Sequence, residues 1–193
     1  MRKIIPLNYS ETHKELIEKC KRGNRKAQFE LYSLYSKAMY NTCLRMVKNE
    51  LDAEDILQNS FVDVFTKLHT FKYQSSIGAW IKRIVINNTI NHLKKNKIYF
   101  ESIDQNHSQI RSEEVFIGGN QIDVKIINAC LRELPEGYKV VFSLYALEGY
   151  DHKEIGQILG ISEATSKSQY SRARKKLKVL INAKKKRSKH GTR

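Results

Sequence analysis

Seven polar side chains near the C-terminus are spaced for contact with a nucleic-acid groove. Thr165, Ser168, Gln169, Arg172 and Lys176 recur at i, i+3, i+4, i+7 and i+11, one face of a helix, with Lys167 and Arg174 on its flank. Guanidinium and ammonium groups can pair with guanine edges, a carboxamide with adenine, and hydroxyls with bases or phosphates. Thr165, Lys167, Ser168 and Gln169, near the helix start, are expected to read sequence, while Arg172, Arg174 and Lys176 behind them grip the backbone. For any one of them the plain alternative is a solvated charge on an amphipathic helix. The constellation as a whole points to the major groove.

Two further faces could do chemistry. Ile77, Trp80, Ile81, Ile84 and Val85 form the apolar side of a helix whose other side carries Arg83, Asn87, Asn91, Lys94 and Lys95. With the polar loop Phe71–Ser76 in front of it, that face suits single-stranded DNA, whose bases stack or flip out while cations track the phosphates. Trp80 reads as a core aromatic, and Phe71 reads either as core or as a stacking platform. The second face is of opposite character. Glu54, Asp55, Gln58, Asn59 and Asp63 lie outward on a helix whose inner side is Ile56, Leu57, Phe61, Val64, Phe65 and Leu68, with Asp52 expected as its cap. An acidic and amide face repels DNA. It could be solvated, or, with Val62 beside it, take a protein partner.

Catalysis and metal binding are not expected. Asp52, Asp55 and Asp63 are near one another, but Asp52 serves better as a cap and Asp63 as a solvated residue, and no nucleophile accompanies them. Cys20, Cys43 and Cys130 lie far apart in apolar helical surroundings without a CxxC or a His at ligand spacing, and read as buried thiols. No cofactor is implied.

The elements that must position these faces are helices. Only Pro6 and Pro135 interrupt the sequence, and almost nothing alternates like a strand. The fold class is therefore all-α, as two small helical domains: residues 10–97, a linker over 98–121 marked by scattered polar residues and Gly118-Gly119, residues 122–182, and a basic tail over 183–193 expected to be disordered. In the second domain Asp151 and Glu154 form a capping box, Gly156 allows a close helix approach, Gly160 ends the helix, and Ser162 caps the groove-facing one. That is a helix-turn-helix. The 193 residues carry 35 Lys plus Arg against 20 Asp plus Glu, a formal charge of +15, which calls for a polyanionic partner. No apolar run approaches the roughly 18 residues of a membrane-spanning helix, and no signal peptide is evident, so a cytoplasmic protein without membrane insertion is expected.

Two blocks of sequence resemble the extracytoplasmic-function (ECF) sigma factors of the sigma-70 family. Leu51-Asp52-Ala53-Glu54-Asp55-Ile56-Leu57-Gln58-Asn59-Ser60-Phe61, and the stretch from Phe71 through Gly78-Ala79-Trp80-Ile81-Lys82-Arg83 to Asn87, are similar to the family's region 2. Leu134-Pro135-Glu136-Gly137-Tyr138, Glu148-Gly149-Tyr150, Glu154-Ile155-Gly156, Thr165-Ser166-Lys167-Ser168 and Ser171-Arg172-Ala173-Arg174 are similar to region 4. The resemblance implies a subunit that binds core RNA polymerase and directs promoter-specific initiation, not an enzyme. It implies that Asp55, Gln58 and Asn59 dock on the β′ clamp helices. Phe71, Arg83, Asn87, Asn91, Lys94 and Lys95 would capture the −10 element, and Thr165, Lys167, Ser168, Gln169, Arg172 and Arg174 the −35 element. The region 4 block would also contact the β flap, and the linker, with Glu101, Asp104, Glu113 and Glu114, would run through the polymerase interior. Regulation would come from an anti-sigma factor. The competing expectation is a stand-alone helix-turn-helix regulator, which accounts for the charge and the C-terminal block but not for Asp55, Gln58 and Asn87.

Overall fold

The computed structural model describes residues 13–47, 49–95 and 124–190, with the side chains of 124–125 and 186–190 left aside. All regular structure among the described residues is helical. The chain divides into two compact units between His92 and Leu93, inside the last turn of the fourth helix. The linker residues named above lie outside the described residues.

The first unit is built from α1 (Lys14–Lys21), α2 (Arg25–Met46), α3 (Glu50–Lys67) and α4 (Ile77–Lys95). Asn24 caps α2 by accepting the Ala27 N–H at 3.0 Å. Asn49, not Asp52, caps α3: its side chain accepts the Asp52 N–H at 2.7 Å, which leaves Asp52 in the first helical turn, where a carboxylate suits the dipole. Ser76 does the same for α4, accepting from Ala79 N–H at 3.2 Å. The core follows from helical spacing. Ala53, Ile56, Leu57, Phe61 and Val64 turn inward from α3, and Ile77, Ile81, Val85, Ile86, Ile90 and Leu93 from α4. Trp80 and Ile84 are only half-buried at the edge of that stripe.

The second unit contains α5 (Val124–Arg132), α6 (Glu136–Phe142), α7 (His152–Leu159) and α8 (Glu163–His190). Pro135 separates α5 from α6, because its ring cannot extend a helix while its carbonyl can start one, accepting Lys139 N–H at 2.9 Å. After α6 the backbone widens over Ser143–Leu147, where Glu148 N–H reaches back five residues to Ser143 O at 3.0 Å. Cys130, Leu131, Leu134 and Phe142 pack on Ala173, Leu177 and Ile181 of α8. The expected disordered tail is instead helix as far as His190. Lysine and arginine are good helix formers and suit the negative end of the dipole, and Lys184 pairs with Glu133 of the α5–α6 turn at 2.6 Å.

Candidate nucleic-acid interface and docking face

The helix-turn-helix is built by local chemistry. Asp151 Oδ1 accepts Glu154 N–H at 2.7 Å while Glu154 Oε2 accepts Asp151 N–H at 2.8 Å, the reciprocal capping box. Gly160 ends α7 in the left-handed conformation at φ 74°, and Gly156 approaches the turn so closely that a Cβ there would meet Ile161 O at 2.8 Å. Ser162 then caps α8, its Oγ 3.0 Å from the donating Thr165 N–H. Behind the turn Tyr145 stacks on His152 at 4.2 Å and leans on Tyr170 at 4.4 Å, and His152 Nδ1 lies 2.9 Å from Ser166 Oγ on the inner side of α8. Burial, and next the Lys167 charge, hold the His152 imidazole below its usual pKa of 6.5.

Of the expected sequence readers, Lys167 and Ser168 are exposed on α8. Lys167 Nζ holds Glu163 Oε1 at 2.6 Å, an i,i+4 pair that raises the ammonium pKa and lowers that of the carboxylate. Thr165 is half-buried with its hydroxyl 2.8 Å from Ser162 Oγ, so it supports the cap. Arg172 is half-buried, and so is Arg174, whose guanidinium lies 5.7 Å from the Tyr170 ring centroid. Gln169 is a correction. It is 3% exposed and lies against α6, its Oε1 3.4 Å from where a Cβ on Gly137 would stand. It precedes Ala173 and Leu177 at four-residue spacing and so belongs to the inner stripe. The outward face is centred instead on Ala164, Ser168 and Lys175, and Lys175, exposed at i+7 from Ser168, was missed. Centring the helical wheel on Ser166, Ala173 and Leu177 would have found it.

On α4, Arg83, Asn87, Asn91, Lys94 and Lys95 are all exposed. Phe71 is the second correction. It is 4% exposed, and its ring packs 5.5 Å from that of Trp80 and 4.9 Å from that of Tyr73, so it serves as the loop's hydrophobic anchor and offers no open face to a base. The loop's exposed side chains are Lys72, Gln74 and Ser75.

On α3 the residues Glu54, Asp55, Gln58 and Asn59 are exposed, and Leu51 (74% exposed) and Val62 (65%) add apolar surface to the same side. Asp63 departs from the expectation of a solvated residue. Its Oδ2 accepts from Asn88 Nδ2 of α4 at 2.9 Å and its Oδ1 holds Lys67 at 3.2 Å; these partners, Asn88 first, keep its carboxyl below the usual range. Asn88 Nδ2 also reaches Ser60 Oγ at 3.2 Å, so α3 and α4 are tied by a polar bridge beside their apolar seam. Cys20, Cys43 and Cys130 are buried, and burial pushes the Cys43 thiol up to about 11.

The first unit matches the family model Sigma-70 region 2 over residues 31–98, and the second matches Sigma-70, region 4 over residues 125–177. Over 154 residues the chain is 30% identical to the ECF RNA polymerase sigma factor SigM of Bacillus subtilis, covering 79% of this chain and 94% of that relative. The chain belongs to the ECF sigma factors. SigW of the same organism is 27% identical over 87% of this sigma factor and 96% of its own length. The fold is that of two solved structures. RpoE of Bartonella quintana, in complex with the anti-sigma factor NepR, matches with a TM-score of 0.51 and 20% identity over 79% of this chain and 95% of that one. CnrH, in complex with the cytosolic domain of CnrY, matches with a TM-score of 0.50 and 22% identity over 88% and 96%. Sigma factors are generally non-enzymatic transcription-initiation factors, and the chain is a sigma factor by family and region order.

Proposed function

We propose that this sigma factor docks on the β′ clamp helices of core RNA polymerase through Asp55, Gln58 and Asn59 of α3. Leu51 and Val62 supply the apolar contact that a desolvated protein interface needs. Arg83, Asn87, Asn91, Lys94 and Lys95 of α4, with Lys72 and Gln74 of the loop, receive the unpaired −10 strand. Lys167, Ser168, Arg172 and Lys175 of α8 enter the major groove at the −35 element, Thr165 and Arg174 holding that face in place, and the same unit contacts the β flap. The domains are those of the sequence reading: 10–97 for docking and −10 capture, 98–121 as linker, 122–182 for −35 recognition, and 183–193 as a basic extension. No described helix is long and apolar enough to cross a membrane; a sigma factor that serves core polymerase works in the cytoplasm. The solved complex of RpoE with the anti-sigma factor NepR supports an anti-sigma factor as a further partner.

One observation carries the reading. In a chain of formal charge +15, the outward face of α3 is acidic, amide-bearing and flanked by two exposed apolar side chains, while exposed cations and amides line the neighbouring helix. A protein that needed DNA alone would have no use for the first face. The test is run-off transcription from a fragmented genomic library by core polymerase with and without the purified chain. Discrete starts sharing two spaced elements are expected only with it. No starts, together with tight sequence-specific binding by the chain alone, would transfer the assignment to a stand-alone regulator.

A further inference from the structure

The loop between α3 and α4 is held by α1, which precedes residues 31–98. Tyr73 donates its hydroxyl to Glu18 Oε1 of α1 at 2.6 Å, across 55 residues of sequence. Lys21, one turn further along α1, donates to the same oxygen at 3.0 Å, and its ammonium lies 4.8 Å from the Tyr73 ring centroid. Tyr73 has φ 58°, a left-handed conformation that a bulky L-residue adopts only when its surroundings over-determine it. Phe71 supplies the other fixed point, buried between Tyr73 and Trp80. With both aromatics turned into the protein, Lys72, Gln74 and Ser75 are the side chains left facing outward, directly before the Ser76 cap of α4. Burial and the Glu18 carboxylate push the Tyr73 phenol up to about 12, and the Tyr73 hydroxyl, then Lys21, holds the Glu18 carboxyl below its usual range, so the contact persists across the neutral pH range.

We propose that Glu18 and Lys21 of α1 are positioning residues for −10 capture: they pin Tyr73 and thereby fix the loop that presents Lys72, Gln74 and Ser75 to the unpaired strand. This rests on the assignment of the loop and α4 to the −10 element. Residues 14–21 precede the stretch matched by the region 2 model, so the proposed role lies outside residues 31–98. A loop that had to order itself on the DNA would lose part of each contact to conformational entropy. A loop held beforehand loses less.

The test uses holoenzyme reconstituted from the full chain and core polymerase on promoter fragments recovered by the run-off selection. Strand opening is read as permanganate reactivity of unpaired thymines, and core affinity is read separately by fluorescence anisotropy of the labelled chain. Glu18→Ala and Tyr73→Phe are each expected to reduce opening by roughly three- to tenfold, the range of a charge-assisted hydrogen bond partly screened by water. Core affinity should stay at the wild-type value. The double variant should lose no more than either single one, and Glu18→Gln, which keeps an acceptor for the tyrosine, should recover most of the opening. Wild-type opening in both single variants, with Asn87→Ala impaired, would overturn the clamp and leave the −10 assignment standing. Wild-type opening in all three would overturn both. Loss of core affinity in parallel with opening, without recovery in Glu18→Gln, would make Glu18 a residue of fold stability and overturn the positioning role.

Discussion

Replacing Gly156 with alanine sets two effects of opposite sign against each other. Alanine is the better helix former by at most about 1 kcal/mol, so on propensity alone α7 should gain. The added Cβ would stand 2.8 Å from Ile161 O, however, and carbon rests no closer to a carbonyl oxygen than about 3.3 Å. The obstacle is backbone within the turn that sets the angle of α8, so relief requires opening that turn by about 0.5 Å against the packing of Ile155 and Leu159. Overpacking of that kind costs about 1–3 kcal/mol, about 2 kcal/mol at mid-range, which outweighs the propensity gain and leaves a net loss of about 1 kcal/mol, and of at most about 2 kcal/mol against the full gain. For a unit of this size each kcal/mol moves Tm by about 4–8 °C, so thermal unfolding of the full chain followed by far-UV circular dichroism should show the C-terminal transition lowered by about 4–8 °C. Promoter binding by the holoenzyme should weaken in parallel, because the displaced element is the start of α8. An unchanged or raised Tm would mean that propensity wins and that the glycine is not needed for close approach.

Three further outcomes follow from the contacts. Lys167→Ala should weaken −35-dependent promoter binding and flatten the slope of log affinity against log salt by about 0.9 if the ammonium neutralises a phosphate, while core affinity is unchanged; an unaltered slope removes Lys167 from the interface. His152, whose folded pKa is depressed, contributes stability that is complete above its unfolded value of about 6.5 and declines as pH falls through the lower folded value, so the melting temperature of the C-terminal transition should fall between pH 7 and 5 and do so less in His152→Gln. Asn88→Leu removes the bridge to Asp63 and Ser60 and should destabilise the first unit by about 1 kcal/mol, read from urea unfolding by the emission of Trp80, the one tryptophan in the chain.

The features legible in the sequence were those encoded within one or two helical turns. Asp151 and Glu154 announce their capping box at fixed spacing, Gly160 marks the end of α7, and the apolar stripes of α3 and α4 fix which residues must face outward. Errors arose where two placements compete locally. Asn49 and Asp52 are both good caps three residues apart, and Asn49 takes the role because it is the residue with extended backbone, φ −130° and ψ 165°, while Asp52 is already helical. Gln169 lies on the border between the inner and outer faces of α8, and a carboxamide there is compatible with either until α6 is seen to cover it. The basic tail has no apolar face and so no sequence reason to fold, yet it propagates a helix already nucleated and held by Ala173, Leu177 and Ile181. The Glu18–Tyr73 contact was beyond reach for another reason: nothing in either segment records that they meet.

On α3, α4 and α8 the core and the proposed interfaces use opposite sides of the same element. Ala53, Ile56, Leu57 and Val64 of α3 are buried while Glu54, Asp55, Gln58 and Asn59 are exposed; Ile81, Val85 and Ile90 of α4 are buried while Arg83, Asn87 and Asn91 are exposed. Outward substitutions should therefore change binding with little change in stability, usually within about 0.5 kcal/mol, and inward ones the reverse. The exceptions are side chains that serve both ends. Thr165 supports the cap of α8 through Ser162, and Arg174 lies over the Tyr170 ring, which packs against the core. Loss of promoter binding in Thr165→Ala or Arg174→Ala alone would not separate a lost DNA contact from a displaced helix. Lys167, Ser168 and Lys175 make that separation, because they stand on α8 without building its core.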